Sequence, residues 1–256
     1  MSQPFGSFGV VGYGHFGAFF ARSLAEHGKV LVCDTDDARL TVEAEGVRAA
    51  PIEEVAQADV VVVAVPFHSF EPAVRALRDH LRPETVVMDV VSTKERASRL
   101  LQELMADHPN VLATHPLFGP PSMTRVDPGQ RIVITYQKGD GAAALRAFLA
   151  SGDGGLGLHV IERTPDEHDE AMAYMQALPF FIARALVALD LPHNEDVMSI
   201  PSYEKLANIA EIEKHHTEEM FLTSQLANPY AEQVRKQFLD ALRALDEHIR
   251  DADASA

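Results

Sequence analysis

The 256-residue chain sets 22 basic against 38 acidic residues, a net charge of −16, with 46% of its residues hydrophobic. This is enough chain to bury one large core or two modest ones. So acidic a surface repels phosphate backbones and anionic membranes, so neither nucleic acid nor a membrane is expected as a partner.

A single cysteine, Cys33, supplies neither a disulfide framework nor a thiolate metal site. The first residues lack a basic stretch leading into an apolar one, so no signal peptide is expected and the expected location is cytoplasmic. The longest apolar runs, such as Val60 to Val65, span about six residues, and Arg184 interrupts the helical stretch 178–191. No membrane-spanning helix is expected.

In chain order, the first apolar run (8–12) ends in Gly12-Tyr13-Gly14-His15-Phe16-Gly17 and passes into a helical pattern of Phe16, Phe19, Phe20 and Leu24. That is the strand, tight turn and helix start of a dinucleotide-binding βαβ unit. Gly12 permits the turn, Gly14 lets backbone approach a pyrophosphate, and Gly17 lets helix and strand pack closely. The second run (30–33) ends at Asp34, about 20 residues beyond the turn, where a carboxylate accepts from the adenosine ribose hydroxyls. Asp34 repels a 2′-phosphate and no arginine follows it closely, so NAD is expected, with NADP possible. Val65 and Pro66, at the end of the 60–65 run, and Ser92 further on complete the expected cofactor-binding set of Gly12, Tyr13, Gly14, His15, Phe16, Gly17 and Asp34.

Further runs at 86–91, 111–114, 131–136 and 158–161 alternate with helical stretches at 38–45, 70–81, 94–105 and 142–149. This is the pattern of a doubly wound, mainly parallel sheet. The character changes at Thr164-Pro165-Asp166-Glu167, which combines a cap, a proline at the first helical position and a capping-box glutamate. Beyond it the 3.6-residue period dominates. Ala171, Tyr174, Met175, Leu178, Ile182 and Leu186 form one apolar face that Pro179 should kink, and helices fit 203–226 and 230–249. The expected organisation is 1–163 followed by a helical domain at 164–256, whose thin core calls for a second copy, a homodimer through the C-terminal helices.

In such a sheet, ligands bind beyond the carboxyl ends of the strands. Three of those ends carry suggestive residues: Pro66-Phe67-His68-Ser69, Asp89-Val90-Val91-Ser92-Thr93-Lys94-Glu95, and Thr114-His115-Pro116-Leu117-Phe118-Gly119-Pro120. Ser92-x-x-Glu95 is also a capping box, and His68 and His115 also read as loop residues. An imidazole suits accepting a proton from a hydroxyl whose carbon loses a hydride, so His115 is the candidate base, with Ser92 positioning it or the hydroxyl. No metal site is expected. His215 and His216 point about 100° apart on a helix, and His168-Asp169 reads as a surface or substrate-edge position in a first helical turn.

Taken together, these motifs resemble the arogenate/prephenate dehydrogenase family. Glu167-His-Asp169, Ala173-Tyr-Met-Gln-Ala-Leu178 and Ser202-Tyr-Glu-Lys-Leu-Ala-Asn208 with Asn228-Pro229 extend the likeness, most closely to the plant-type arogenate enzymes. The resemblance implies a Rossmann-type domain, an all-α dimerisation domain, and NAD(P)-dependent oxidative decarboxylation of a cyclohexadienol. In it, His115 takes the C4 hydroxyl proton and Ser92 lies nearby. It also implies a substrate cavity lined by Ser92, Lys94, His115, Gln176 and the residue at position 180.

Two departures stand out: Phe180 replaces a family histidine, and Ser224 replaces an arginine of the prephenate-using members. Without that arginine, prephenate needs Arg125, Arg131 or Lys94 as its carboxylate partner. The acidic residues Glu211, Glu213, Glu218 and Glu219 would tolerate the ammonium of arogenate or of another aminated analogue. Two other readings stay open. One is a dehydrogenase of hydroxy acids or imines using Lys205 or Lys214. The other is an NAD-binding regulatory homologue without catalysis.

Overall fold

The computed structural model describes residues 4–40, 45–120, 123–191 and 200–254. The chain divides into two compact units, Met1–His168 and Asp169–Ala256.

Among the described residues, the first unit is built on one eight-stranded sheet. Its strands are β1 (Ser7–Val11), β2 (Lys29–Cys33), β3 (Val47–Ala49), β4 (Val60–Val63), β5 (Val86–Asp89), β6 (Val111–Pro116), β7 (Arg131–Lys138) and β8 (His159–Glu162). They lie in the order β3-β2-β1-β4-β5-β6-β7-β8, so the winding reverses between β1 and β4. A crevice opens beyond the strand ends at such a reversal. The helices here are α1 (His15–Leu24), α2 (Ile52–Val55), α3 (Phe67–Arg78), α4 (Glu95–Leu104) and α5 (Asp140–Ala150).

The sheet is buried on both faces because its strands are apolar throughout. Val60 and Val62 enter one core with Phe8, Phe19, Phe20 and Phe148. Val61 and Val63 enter the opposite core with Phe70, Leu77 and Leu101. Cys33 lies in the second core with its thiol pushed up to about 11, chiefly by burial.

All seven apolar runs form strands, with three local differences. β3 and α2 are too short to show a periodicity. β6 and β7 pair antiparallel, with a bulge between Ala113 and Thr114. Their link holds no helix among its described residues, and without a crossover the chain returns in the opposite direction. The helix expected over 38–45 is a 3₁₀ turn at Asp37–Leu40, and residues 41–44 lie outside the described residues.

The boundary capping box at Thr164 forms as the sequence predicts. The Thr164 N–H donates to Glu167 at 2.9 Å and the Glu167 N–H donates to the Thr164 hydroxyl at 3.2 Å. The helix it starts is α6 (Pro165–Met172).

In the second unit, a π turn at Ala173–Ala177 leads to α7 (Leu178–Ala188). Pro179, which has no N–H, sits just after this wider turn, and that is the form the expected kink takes. The helix expected over 203–226 is two, α8 (Pro201–Lys214) and α9 (Glu218–Leu226), because the Thr217 hydroxyl caps the Met220 N–H and restarts the chain. The final helix is α10 (Ala231–Ala254).

The buried residues here are mostly small: Met172, Ala173, Ala177, Ala183, Ala210, Ala227, Ala231 and Val234. Tyr174 and Met175, expected on the buried face, are 53% and 71% exposed. The run Pro165–Ala188 is long and apolar enough by composition to cross a bilayer. A reading of the sequence that starts the apolar stretch at residue 178 misses it.

Candidate active site

The glycine turn closes β1 with the backbone geometry its residues dictate. Gly12 has φ +96°, and a Cβ there would lie 2.6 Å from the Ala64 carbonyl oxygen. A Cβ on Gly17 would lie 1.9 Å from the Gly12 carbonyl oxygen, so only glycine lets α1 leave the turn this tightly. Gly14 differs. It caps α1 without a side-chain hydrogen bond, and a Cβ there would meet nothing nearer than Arg39 Nη1 at 3.7 Å. The space beside the N-terminus of α1 at Gly14 is therefore open, as an anion site at a helix N-terminus requires.

Around the turn, Tyr13 is buried and His15 is exposed, while Phe16 stacks on Phe20 at 5.6 Å. Asp34 accepts from the Tyr13 N–H at 2.7 Å and the Asp36 N–H at 2.9 Å, which fixes its carboxylate beside the turn. Arg39 Nη1 stands 3.8 Å from Asp34, so a guanidinium does accompany this carboxylate, contrary to the sequence expectation. The 3₁₀ turn that presents it is invisible to helical periodicity. Val65 and Pro66 are half-buried between β4 and α3. His68 is exposed in the first turn of α3 and lines a depression with Glu71, Arg75 and Arg96, not a loop.

At the end of β5, Asp89 is fully buried and accepts from Lys94 Nζ at 2.5 Å and the Val91 N–H at 2.9 Å. Lys94 Nζ also donates to the Thr114 carbonyl at 2.7 Å, and the Thr114 hydroxyl donates to the Asp89 carbonyl at 2.6 Å. Burial pushes the Asp89 carboxyl up, opposed by the ammonium and the Val91 N–H. Lys94, expected to face substrate, is thus enclosed as a strut between β5 and β6. The Ser92–Glu95 capping box does not form, because α4 starts at Glu95 with Lys94 as its cap residue. Ser92 lies half-buried in the loop before it.

His115 occupies β6, just past the bulge, and is 5% exposed. Its Nδ1 lies 2.8 Å from Nε2 of His168, itself 2% exposed on α6, with the rings 5.0 Å apart. The surface reading of His168 is therefore corrected: the helix turns it inward. Its motif is visible in the sequence, but a dipole argument judges the residue by its place in the turn and not by the face it presents. Burial, then His168, then the Lys94 ammonium hold the His115 imidazole well below its ordinary value, and it stays neutral. It is His168, not Ser92, that engages His115. Three residues on, Phe118 packs on Phe16 and Phe19 of α1 at 6.5 and 6.2 Å, which carries the histidine strand's loop to the glycine-turn helix.

In the second unit, Gln176 is half-buried in the π turn and Phe180 packs on His216 with ring centroids 4.5 Å apart and the planes tilted by 43°. His216 bonds to Glu213 at 2.9 Å, so it is no surface residue. Arg184 bonds to Glu213 and Glu218, and Glu211 pairs with Lys214. Those three carboxylates are compensated by cations, which removes them as a diffuse partner for an ammonium. Ser224 is buried and donates to the Phe221 carbonyl. Arg235, which no sequence motif singles out, bonds to the neighbouring Gln225 at 2.9 Å. Arg125 is exposed beside Asp127 and Arg131 is also exposed. No metal-binding cluster occurs among the described residues.

Family models decide what this arrangement belongs to. Residues 20–147 match the prephenate dehydrogenase nucleotide-binding domain and residues 164–256 the prephenate dehydrogenase dimerization domain. The chain belongs to the prephenate dehydrogenase family.

A probable arogenate/prephenate dehydrogenase of Methanocaldococcus jannaschii is 28% identical over 93% of this chain and 55% of its own length. A 4-amino-4-deoxyprephenate dehydrogenase of Streptomyces pristinaespiralis is 30% identical over 79% of the chain and 68% of its own length. The chloroplastic arogenate dehydrogenase 1 of Arabidopsis thaliana is 26% identical over 79% of the chain and 33% of its own length. The chain therefore spans about half the length of the first of these relatives and a third of the last.

Among solved structures, the prephenate dehydrogenase of A. aeolicus, in complex with hydroxyphenyl propionate and NAD+, covers 99% of the chain and 94% of itself. Its TM-score is 0.76 at 21% identity. The arogenate dehydrogenase of Synechocystis covers 95% and 93%, with a TM-score of 0.66 at 22% identity. These likenesses establish the fold.

Proposed function

We propose that this chain catalyses NAD(P)-dependent oxidative decarboxylation of a cyclohexadiene carboxylate, with arogenate as the leading substrate and prephenate second. The observation that carries the reading is His115, a buried neutral imidazole on a strand whose loop packs, through Phe118, on the glycine-turn helix. The turn fits a dinucleotide. Gly14 leaves room for a pyrophosphate, the α1 N–H groups offer donors, and Asp34 is oriented for ribose hydroxyls. Tyr13, His15, Phe16, Val65 and Pro66 border that site. A bound nicotinamide supplies the hydride acceptor.

The chain's own work is then orientation and one proton. His115 takes the proton of the C4 hydroxyl as the C4 hydride departs. The C1 carboxylate leaves as carbon dioxide and the ring becomes aromatic, which drives the reaction. Ser92, half-buried after β5, holds the hydroxyl. Lys94 serves by fixing β5 against β6.

Two observations bear on selectivity. Ser224, whose hydroxyl is spent on the Phe221 carbonyl, stands where the resemblance expects a guanidinium for a second carboxylate, and charged hydrogen bonds of that kind are worth about 1.5–3 kcal/mol each. This disfavours prephenate. The Streptomyces relative makes 4-amino-4-deoxyprephenate a substrate to test beside them. Asp34 favours NAD, and Arg39 beside it makes NADP usable. The region matching the dimerization model assembles two copies through the exposed apolar side chains of its helices.

The test is a side-by-side assay of arogenate, prephenate and 4-amino-4-deoxyprephenate with NAD and with NADP, following nicotinamide absorbance. Arogenate with NAD should give the highest kcat/KM. No reduction with any of the three would overturn the proposal.

A further inference from the structure

Building on that reading, we infer that His168 is a positioning residue that sets the tautomer of His115. The Nδ1–H of His115 donates to the Nε2 lone pair of His168, and Nε2 of His115 is left with the lone pair that takes the substrate proton.

The two nitrogens are 2.8 Å apart in a buried setting. One of them must carry the shared hydrogen and the other must accept it. Were both to carry hydrogens, two N–H groups would confront each other away from water; were neither to, two lone pairs would. Only two arrangements remain. If His168 donated, His115 would keep its own hydrogen on Nε2 and offer the substrate a donor. The base would then be useless for accepting a hydroxyl proton. With His168 as acceptor, His115 presents its basic nitrogen before substrate arrives. After it takes the proton, the imidazolium keeps a hydrogen-bond acceptor at Nδ1.

The groups facing His115 favour its neutral form. They are His168 on α6 and the Lys94 ammonium just before α4. No carboxylate contacts the His115 ring among the described residues. The partner that orients it is another imidazole, a weaker acceptor than the carboxylate that orients a histidine base in a hydrolase triad. It fixes the tautomer without raising the basicity of His115 towards that of a carboxylate-paired ring.

The decisive measurement is a two-bond ¹H–¹⁵N spectrum of the full chain with labelled histidine, at about pH 8, above the ordinary imidazole value. His115 is assigned by the loss of its signals in His115→Asn. The expected result is a protonated Nδ1 and an unprotonated Nε2 for His115; the reverse pattern overturns the inference.

Kinetics supply the second arm. His168→Gln keeps an acceptor oxygen and should retain kcat within a few-fold. His168→Phe removes the acceptor and should lower kcat by about 10²-fold, with the KM for NAD unchanged and the Nδ1–H signal lost. A His168→Phe protein that keeps both the tautomer and the turnover number overturns the inference. The spectrum is read without substrate, so a chain inactive on every cyclohexadiene would sink the proposed reaction and leave the tautomer result standing.

Discussion

A buried imidazole beside an ammonium has consequences that depend on pH, and their sign follows from the direction of its shift. Folding favours the neutral form of His115, so its folded pKa lies below the unfolded value of about 6.5. As pH falls through that value the unfolded chain binds a proton that the folded chain does not. The stability this group leaves intact is therefore full above about pH 6.5 and declines below it. As the proposed base, His115 stays neutral under mild acid, so the acid limb of kcat should be centred below pH 6.5; a limb centred above it contradicts the assignment. His115→Asn should lower kcat by about 10²–10⁴-fold with NAD affinity nearly intact, read from turnover and from cofactor titration.

Lys94 is expected to behave otherwise. Lys94→Met strands the buried Asp89 carboxyl and should cost about 3–5 kcal/mol of stability, measured by denaturant unfolding. The sequence shows His115, Ser92 and Lys94 as suggestive residues at strand ends. It cannot show that Lys94 folds back onto Asp89, or that a histidine 53 residues further along completes the pair, because periodicity reports a face and not a partner.

At the scale of elements, the glycine turn is legible from the sequence alone, since each glycine answers a separate steric demand. Those demands predict opposite outcomes for two similar changes. Gly14→Ala meets only the far end of a flexible arginine, so its melting temperature should match that of the parent. Its NAD affinity should fall by about tenfold, a loss of about 1.4 kcal/mol, if the methyl occupies the proposed pyrophosphate approach. Gly17→Ala puts a methyl into the Gly12 carbonyl and should lose about 1–3 kcal/mol of stability in thermal unfolding. The elements that hydrophobic patterning does not reveal are short or locally decided. β3 spans three residues, the 3₁₀ turn bearing Arg39 spans four, and a threonine hydroxyl divides α8 from α9. None changes the hydrophobic period over a window long enough to register.

For the whole molecule, the large hydrophobic side chains that stand exposed among the described residues, from Tyr174 to Ile249, lie in the second unit. On α10, Leu242, Leu245 and Ile249 recur at helical spacing, each about half exposed. A stripe of that kind in water calls for a covering surface. The proposed dimer supplies it, and sedimentation at micromolar concentration should show two chains. Leu245→Glu should shift that equilibrium towards monomer while leaving the sheet of the first unit intact by circular dichroism. The thin core behind the dimer expectation is legible from composition. Which helix face is left uncovered is not, because small and large apolar residues share the same period.

The only thiol in the chain lies on β2, one residue before Asp34, with its backbone oxygen accepting from the Gly12 N–H at 2.8 Å. Held at about 11 and shut inside a core, Cys33 will ignore alkylating reagents until that strand lifts away from its neighbours. The rate of its labelling is therefore a built-in clock for opening of the nucleotide cleft. Any dinucleotide that seats on the glycine turn will slow that clock without a fluorophore or a second cysteine being introduced.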